Sequence, residues 1–321
     1  MKKRVMILTG VIGVSVLGML AGCGSSDSEK KEITAVVSES AEEAAETVEA
    51  ATESEAEEEE AAPEEEKKAA EKSAVSIEEQ VLVDKDGIKI TATEYTEDDF
   101  WGEGIRLLIE NNTDKTYMIG CDALIVNDYM ISDLFSSEIS AGKKANETMY
   151  LSTTELEAAG IDTVGKVEIY FHAFDSEDWS DSLFQKEFCE VKTSEYENMD
   201  TTPNDAGMEL YNEGGIKIVG KTVDENSFWG TAILLYTENT SDQDVSISVE
   251  EMSINGFMID PLYSSTCYAG KKSIEDITVL SEDLESNGIE SIEEVELKFH
   301  IYDADSYETI ADSEAITFSA Q

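Results

Sequence analysis

Histidines come first among the residues that could do chemistry, because an imidazole can act as a general base or bind a metal near neutral pH. The chain has two, His172 and His300, and each follows a phenylalanine, Phe171 or Phe299. In both places apolar and polar residues alternate, and the histidine falls on the polar side. An outward histidine paired with a neighbouring carboxylate is the favoured interpretation. A metal ligand or a catalytic base is the alternative.

The sequence contains none of the common catalytic or phosphate-binding motifs. It has no G-x-S-x-G, no G-x-x-x-x-G-K-[ST], no H-E-x-x-H, no C-x-x-C and no complete EF-hand loop. Each of these motifs supplies a nucleophile, a phosphate cradle or a set of metal ligands at fixed spacing. We therefore expect a protein that is not an enzyme and has no dedicated cofactor.

Two acidic clusters are the candidate metal sites. Carboxylate oxygens are the ligands that Ca²⁺ prefers in proteins. Neither cluster has the glycine and the spacing of a dedicated calcium loop, so solvated surface charge is the alternative. The candidates are Asp175, Glu177, Asp178 and Asp181, and then Asp303, Asp305 and Glu308.

Two aromatic pairs, Phe100-Trp101 and Phe228-Trp229, are each followed by a glycine. Rings of this size usually pack in a core or at the edge of a sandwich, which is the favoured interpretation. Exposed rings would instead form a platform for a sugar or a peptide. These four residues are therefore the candidate binding site.

Cysteine chemistry is restricted by the small number of thiols. Cys121 and Cys189 fall where a second copy of the same sequence pattern has aliphatic residues, so core packing is expected. A disulfide between them is the alternative, because an extracellular setting permits oxidation. Cys267 stays unpaired in either case.

The N-terminus predicts export and a lipid anchor. Basic residues at 2–4 precede an apolar run over 5–20, which ends in Leu20-Ala21-Gly22-Cys23. That tetrapeptide resembles the lipobox of bacterial lipoproteins, and the resemblance implies that residues 1–22 are removed and that Cys23 carries a diacylglycerol. An ordinary signal peptide or an uncleaved anchor helix is the alternative, although the run is shorter than the about 20 residues that span a bilayer.

An acidic, low-complexity segment over 23–80 separates the leader from the rest of the chain. It has no aromatic residue and no sustained apolar face, so we expect a disordered tether that lifts the domains off the membrane. A coiled-coil segment is the alternative, but heptad apolar positions are absent. The whole chain carries a formal net charge of −50, which excludes nucleic acid as a partner.

The remainder is a tandem duplication. Phe100-Trp101-Gly102 matches Phe228-Trp229-Gly230, and Ala141-Gly142-Lys143-Lys144 matches Ala269-Gly270-Lys271-Lys272 at the same offset. The pattern predicts a first repeat over 81–193 and a second over 209–321. A polar linker over 194–208, with few apolar residues, predicts that the repeats fold independently.

Each repeat has the pattern of a β-sandwich. Apolar residues alternate with polar ones through Val295, Leu297 and Phe299, and turn residues separate about seven such segments per repeat. One short helix is expected in each repeat. Thr153 or Ser281 is its predicted N-cap, and Gly160 or Gly288 is its predicted left-handed C-cap.

Together the lipobox, the acidic tether and the segments Ile-Glu-Asn-Asn, Asn-Asp-Tyr-Met-Ile and Ala-Gly-Lys-Lys resemble a known group. They look like uncharacterised lipoproteins of clostridia and related Gram-positive bacteria, whose repeated domains are immunoglobulin-like. The resemblance implies two tandem immunoglobulin-like sandwiches on a cell surface. It carries no catalytic or binding residues.

From these features we expect an extracellular lipoprotein, anchored through Cys23, that works as a non-catalytic binding module for a cell-surface protein or a glycan. An enzyme accessory or weak hydrolase is one alternative, and a cleft with two close carboxylates of raised pKa would favour it. A structural spacer or signalling ectodomain is the other. It would show no concave or apolar surface patch.

Overall fold

The computed structural model describes residues 31–35, 75–98, 101–132, 134–227 and 230–320. The predicted leader, Cys23 and most of the predicted tether lie outside these ranges, as do Phe100, Phe228 and Trp229. Within the described ranges, no helix has the length and apolar character needed to cross a bilayer.

The fold is all-β, as predicted, and its sheets pack face to face as sandwiches around two hydrophobic cores. The strands up to the linker are β1 (Lys31–Ala35), β2 (Gln80–Lys85), β3 (Ile88–Asp98), β4 (Gly102–Asn111), β5 (Tyr117–Val126), β6 (Tyr129–Ile131), β7 (Ser136–Ile139), β8 (Lys144–Tyr150), β9 (Lys166–Asp175) and β10 (Ser182–Lys192). Those that follow are β11 (Met208–Glu213), β12 (Ile216–Ser227), β13 (Gly230–Asn239), β14 (Val245–Ile254), β15 (Phe257–Met258), β16 (Ser264–Cys267), β17 (Lys272–Leu280), β18 (Glu294–Asp303), β19 (Thr309–Asp312) and β20 (Ile316–Ala320). The helices are α1 (Thr153–Ala159) and α2 (Ser281–Ser286), and a 3₁₀ turn covers Tyr196–Asn198.

In the first repeat, a four-stranded sheet β2-β3-β4-β8 packs on a sheet in which β10, β9 and β5 are neighbours. The predicted alternation is confirmed in β9, where Val167, Ile169 and Phe171 are buried. The four-stranded sheet contributes Ile105 and Leu107 to the same core. Burying one such side chain is worth about 1.5–3 kcal/mol, so this core holds the two sheets together.

The second repeat repeats this plan. Its β11, β12, β13 and β17 are successive neighbours, and β20, β18 and β14 form the facing group. Val295, Leu297 and Phe299 of β18 are fully buried, as their alternation predicted. The duplicated pattern therefore forms the same buried strand twice.

The disordered tether predicted over 23–80 is wrong at two places. Lys31–Ala35 forms β1, which lies between β12 and β20 of the second repeat. Residues 75–80 are also part of the fold, since Ile77 bridges Thr193 of the first repeat. A single buried isoleucine, Ile33, within a short β-branched stretch gives β1 its affinity for the sheet, and an average over the acidic segment hides it.

The predicted C-cap of α1 is confirmed, whereas each of the other three predicted helix caps is displaced by one residue. Gly160 ends α1 in the left-handed conformation with φ 73°, and the Ile161 amide donates to the Leu156 carbonyl at 2.8 Å. The N-caps are Ser152 and Leu280, one residue before the predicted positions. In α2 the C-cap is Asn287, one residue before the predicted glycine.

The two repeats contact each other directly. Strand β6 of the first runs parallel to β17 of the second, and the rings of Tyr129 and Tyr236 lie 6.3 Å apart in a small buried cluster. The Lys271 Nζ atom donates to Asp128 at 2.7 Å and to Glu168 at 2.9 Å. The composition of the linker could not predict this interface, because Asp128, Glu168 and Lys271 lie within the repeats and not in the linker.

Candidate functional site

An open groove with exposed aromatic rings lies beside α1, where the first repeat meets β17. Its volume is about 540 Å³. Trp101 is 60% exposed, and its ring lies 5.8 Å from that of Tyr150, with an angle of 31° between the planes. Leu134 is also fully exposed at this groove. The favoured interpretation of Trp101 as a buried residue is therefore wrong, and its side chain forms part of a surface platform.

Local backbone geometry explains why Trp101 is on the surface. Gly102 has φ 78°, and a Cβ atom added there would lie 2.3 Å from the Thr153 hydroxyl oxygen. Only glycine lets β4 begin this close to the first turn of α1. The Trp101 amide also donates to the Asp98 carboxylate at 2.8 Å, which fixes the turn. Antiparallel pairing of Gly104 with Tyr150 then brings the second ring alongside.

The walls of the groove are polar and acidic. Glu147, which accepts a hydrogen bond from Ser137 at 3.1 Å, lies on the side of the first repeat. Asp276 of β17 comes from the second repeat and accepts a hydrogen bond from Thr278 at 2.6 Å. The groove therefore combines apolar rings with carboxylates and hydroxyls, which can accept hydrogen bonds from ligand hydroxyl or amino groups.

A smaller adjoining cavity of about 350 Å³ shares Ser152 and Asp276 with the groove. Glu155 of α1 lines it, and burial raises the pKa of this carboxyl. The Ser132 amide donates to Glu155 at 2.7 Å. Because this bond holds the segment that carries Leu134, Glu155 positions one side of the groove.

Among the rings of this groove, only Trp101 was predicted from the sequence as a candidate binding residue. Tyr150 occupies the position of Thr278 in the second repeat, so a comparison of the two copies at that position would have singled it out. Glu147 and Asp276 could not be predicted as site residues, because only the fold brings them to the same groove. Phe100, Phe228 and Trp229 lie outside the described residues.

Both histidines pair with carboxylates on neighbouring strands. The His172 Nδ1 atom lies 2.7 Å from Asp122, and the His300 Nδ1 atom lies 2.6 Å from Asp312. Partial burial opposes ionisation of Asp122, but hydrogen bonds from His172 and from the Lys186 amide hold the pKa of this carboxyl below its usual value. The geometry agrees with the favoured interpretation of each histidine.

Each histidine also begins a short stack of rings. His172, Phe174 and Trp179 follow one another with centroid separations of 4.7 and 6.2 Å. In the second repeat the stack consists of His300, Tyr302 and Tyr307, with separations of 5.4 and 6.2 Å. These stacks cover the polar faces of β9 and β18, away from the residues that line the groove.

The carboxylates of the two acidic clusters form ion pairs with lysines and accept hydrogen bonds from residues of the same turns. Lys115 Nζ lies 2.7 Å from Asp175 and 3.3 Å from Asp181, and a hydrogen bond from Lys115 lowers the pKa of Asp175. Asp178 accepts hydrogen bonds from Ser180, and the Glu177 amide donates to Asp175. In the second cluster, Asp303 accepts bonds from the amides of Asp305 and Ser306, and Asp305 pairs with Lys186 at 2.7 Å. Within the described ranges, no three His, Cys, Asp or Glu side chains are arranged to hold a metal.

The three cysteines of the repeats are buried thiols. Cys121 donates to the Ala123 carbonyl at 2.8 Å, and Cys189 lies opposite Ile169 in the β9 ladder. Burial raises the pKa of Cys189 and of Cys267 to about 12. A thiol with so high a pKa is a poor nucleophile, so these residues serve packing.

Comparison with known proteins adds no family. No family model matches the chain, and a comparison with curated proteins finds no similar sequence.

Proposed function

We propose that this protein is a lipid-anchored, extracellular binding protein of a Gram-positive bacterium, and that it acts without catalysis. The lipobox ending in Cys23 supports the anchor and the location. The acidic low-complexity segment and the resemblance to clostridial lipoproteins with immunoglobulin-like repeats support the same assignment.

The exposed pair Trp101 and Tyr150 is the observation that carries the binding function. Large rings exposed to water are unfavourable, and a contiguous apolar patch with a polar rim is typical of a binding site. Here the patch lies in a groove whose rim includes Glu147 and Asp276, from both repeats.

A glycan that is neutral or carries amino groups is the ligand class that fits this groove best. Aromatic rings stack on the apolar face of a sugar ring, and carboxylates accept hydrogen bonds from its hydroxyl groups. The net charge of −50 disfavours anionic polymers. A surface protein that inserts an apolar side chain is the alternative ligand for the same rings.

The rival functions receive less support. A pure spacer or signalling ectodomain was expected to lack a concave apolar patch, and the groove counts against it. A weak hydrolase gains two observations, the raised pKa of Glu155 in a cavity shared with Asp276 and the raised pKa of Glu275, to which burial and the charge of Glu155 contribute. However, the Glu155 carboxylate is hydrogen-bonded to the Ser132 amide, which suits a structural role.

Binding to isolated cell walls tests the function. We expect the purified protein to sediment with peptidoglycan sacculi. The double variant Trp101→Ala with Tyr150→Ala should bind them at least tenfold more weakly. Trp179→Ala is the matched control, because Trp179 is equally exposed on the same repeat and does not line the groove. Sedimentation of the double variant at the wild-type level would refute the groove as the site.

Metabolic labelling with a fatty acid tests the anchor. The wild-type chain should incorporate the label, and Cys23→Ala should lose it because the acceptor sulfur is gone. Equal labelling of the two chains would refute the lipoprotein assignment without bearing on the groove.

A further inference from the structure

Strand β1 reaches the second repeat from a distant part of the chain. It pairs antiparallel with β12 through Lys31 and Glu32, and with β20 through Ile33, Thr34 and Ala35. It therefore joins the two groups of strands of the second sandwich at a place where they would otherwise expose edges. The next strand of this repeat along the chain is β11, which begins at Met208, more than 170 positions after β1.

The slot between β12 and β20 is shaped for this segment. Ile33 is 5% exposed and belongs to the core of the second repeat. A Cβ atom added at Gly220 would lie 2.9 Å from Ile33 Cδ1, so the glycine makes room for the isoleucine. Lys31 pairs with Glu225 at 3.0 Å, and the hydroxyl oxygens of Thr34 and Ser319 lie 3.1 Å apart.

The first repeat shows what the slot is for. There the equivalent place is taken by the residues just before its own first long strand, where Ile77 bridges Thr193. The corresponding residues before β11 are held elsewhere. The Asn204 amide donates to the Tyr129 hydroxyl at 2.9 Å, and its side chain donates to the Ala158 carbonyl at 3.0 Å. With these residues bound to the first repeat, the second repeat takes its first strand from upstream.

We propose that Lys31–Ala35 is the first strand of the second repeat, supplied by the same chain, and that it holds this repeat close to the membrane. The second part rests on the proposed lipid anchor. Cys23 is eight positions before Lys31, and eight fully extended residues span at most about 29 Å. The second repeat is then the membrane-proximal one. Residues 36–74 connect β1 to the first repeat and do not set the height of the protein.

A disulfide trap tests the strand assignment. In the full chain, Thr34→Cys with Ser319→Cys places two thiols at a paired position of β1 and β20. Mild oxidation should give a monomer with altered mobility on a non-reducing gel, because the new bond closes almost the whole chain into a loop. A covalent dimer would show that the strand comes from a second copy. A folded chain with no cross-link would show that β1 does not dock, and either result overturns the proposal.

The control pair is Thr34→Cys with Ser306→Cys. Ser306 follows the C-terminal end of β18, whereas Ser319 pairs with Glu294 at the other end. A strand of this length separates the two ends by about 30 Å, so the control should not cross-link. The experiment is repeated with Cys23→Ser, so that its outcome is independent of acylation.

Hydrogen exchange on the unmodified chain tests the same point if the variants fold poorly. The amides of residues 31–35 should be protected well beyond the rate of an unstructured peptide. Exchange of these amides at the unstructured rate would overturn the strand assignment.

Distance from the membrane tests the second part. On a supported bilayer, the acylated Ile33→Asp chain should form a thicker protein layer by neutron reflectometry than wild type, since its free length then runs from Cys23 to Val75. The control is Glu32→Gln, at an exposed position of β1. Equal thickness of the Ile33→Asp and wild-type layers would overturn the membrane-proximal placement, whereas failure to bind the bilayer at all would refute the anchor instead.

Discussion

At the scale of single residues, the groups with the greatest chemical potential are bound to neighbouring side chains and amides. His172 and His300 pair with aspartates, and Asp175 pairs with Lys115. The predicted alternation placed both histidines on the polar face of a strand, and the structure agrees. The partners could not be predicted, because Asp122 and Asp312 lie on other strands whose register is set by the fold.

Loss of both histidines should leave the protein folded. Each ring is partly exposed, and a surface pair of this kind contributes no more than about 1 kcal/mol. We expect His172→Gln with His300→Gln to melt within a few degrees of wild type by circular dichroism and to retain binding to cell walls. A folded double variant that behaves like a deletion strain would return a catalytic or metal-binding role to consideration.

Glu275 makes the free energy of unfolding depend on pH, and the direction of this dependence follows from its pKa. Burial raises the pKa of Glu275 to about 8, whereas its value in the unfolded chain is about 4.3. A group with a raised carboxyl pKa binds more protons in the folded state, so its contribution to stability is complete below pH 4.3 and is lost as the pH rises towards 8. The slope approaches about 1.4 kcal/mol per pH unit within that window.

We therefore expect Glu275→Gln to melt above wild type at pH 8, with a smaller difference at pH 5. Thermal melts at the two pH values measure it, and Glu282→Gln at an exposed position of α2 is the control. A difference that is constant between pH 5 and pH 8 would contradict the raised pKa.

At the scale of secondary-structure elements, periodicity and capping residues predicted most strands and the end of α1. They failed where an element depends on a distant partner. β1 is five residues long within an acidic segment, and it forms a strand because β12 and β20 leave a slot for it. Trp101 was predicted to be buried because large rings usually pack in a core. The prediction failed because the chain turns outward where Gly102 approaches Thr153, and this contact depends on the tertiary fold.

The duplicated lysines provide a test of the contact between the repeats. Lys271 binds Asp128 and the buried Glu168 across the interface, whereas its counterpart Lys143 in the first repeat is exposed. Removing one partner of a buried ion pair costs about 3–5 kcal/mol, and less where a second cation remains, as Lys166 does here.

Lys271→Ala should therefore lower the free energy of unfolding by about 1–3 kcal/mol and separate the unfolding of the repeats into two transitions in calorimetry. Lys143→Ala should change neither. A single unaltered transition in Lys271→Ala would mean that this ion pair does not couple the repeats.

At the scale of the whole molecule, the contact between the repeats and the groove belong together. Asp276 lies on β17, which also pairs with β6 of the first repeat, so docking of the repeats brings this carboxylate to the groove beside Trp101. A strongly acidic chain with such a groove suits a neutral or amine-bearing ligand on a cell surface. The net charge and the Trp101 ring could be predicted from the sequence, whereas Tyr150, Glu147 and Asp276 are brought to the groove by the fold.

Calorimetric titration with chitohexaose, a neutral oligomer of N-acetylglucosamine, tests this account most directly. We predict saturable binding to wild type, at least tenfold weaker binding to Trp101→Ala and to Asp276→Asn, and binding within about twofold of wild type for Trp179→Ala. Loss in both groove variants would identify a site built from the two repeats. Wild-type affinity in Trp101→Ala and Asp276→Asn, or an equal loss in Trp179→Ala, would contradict a glycan site in this groove.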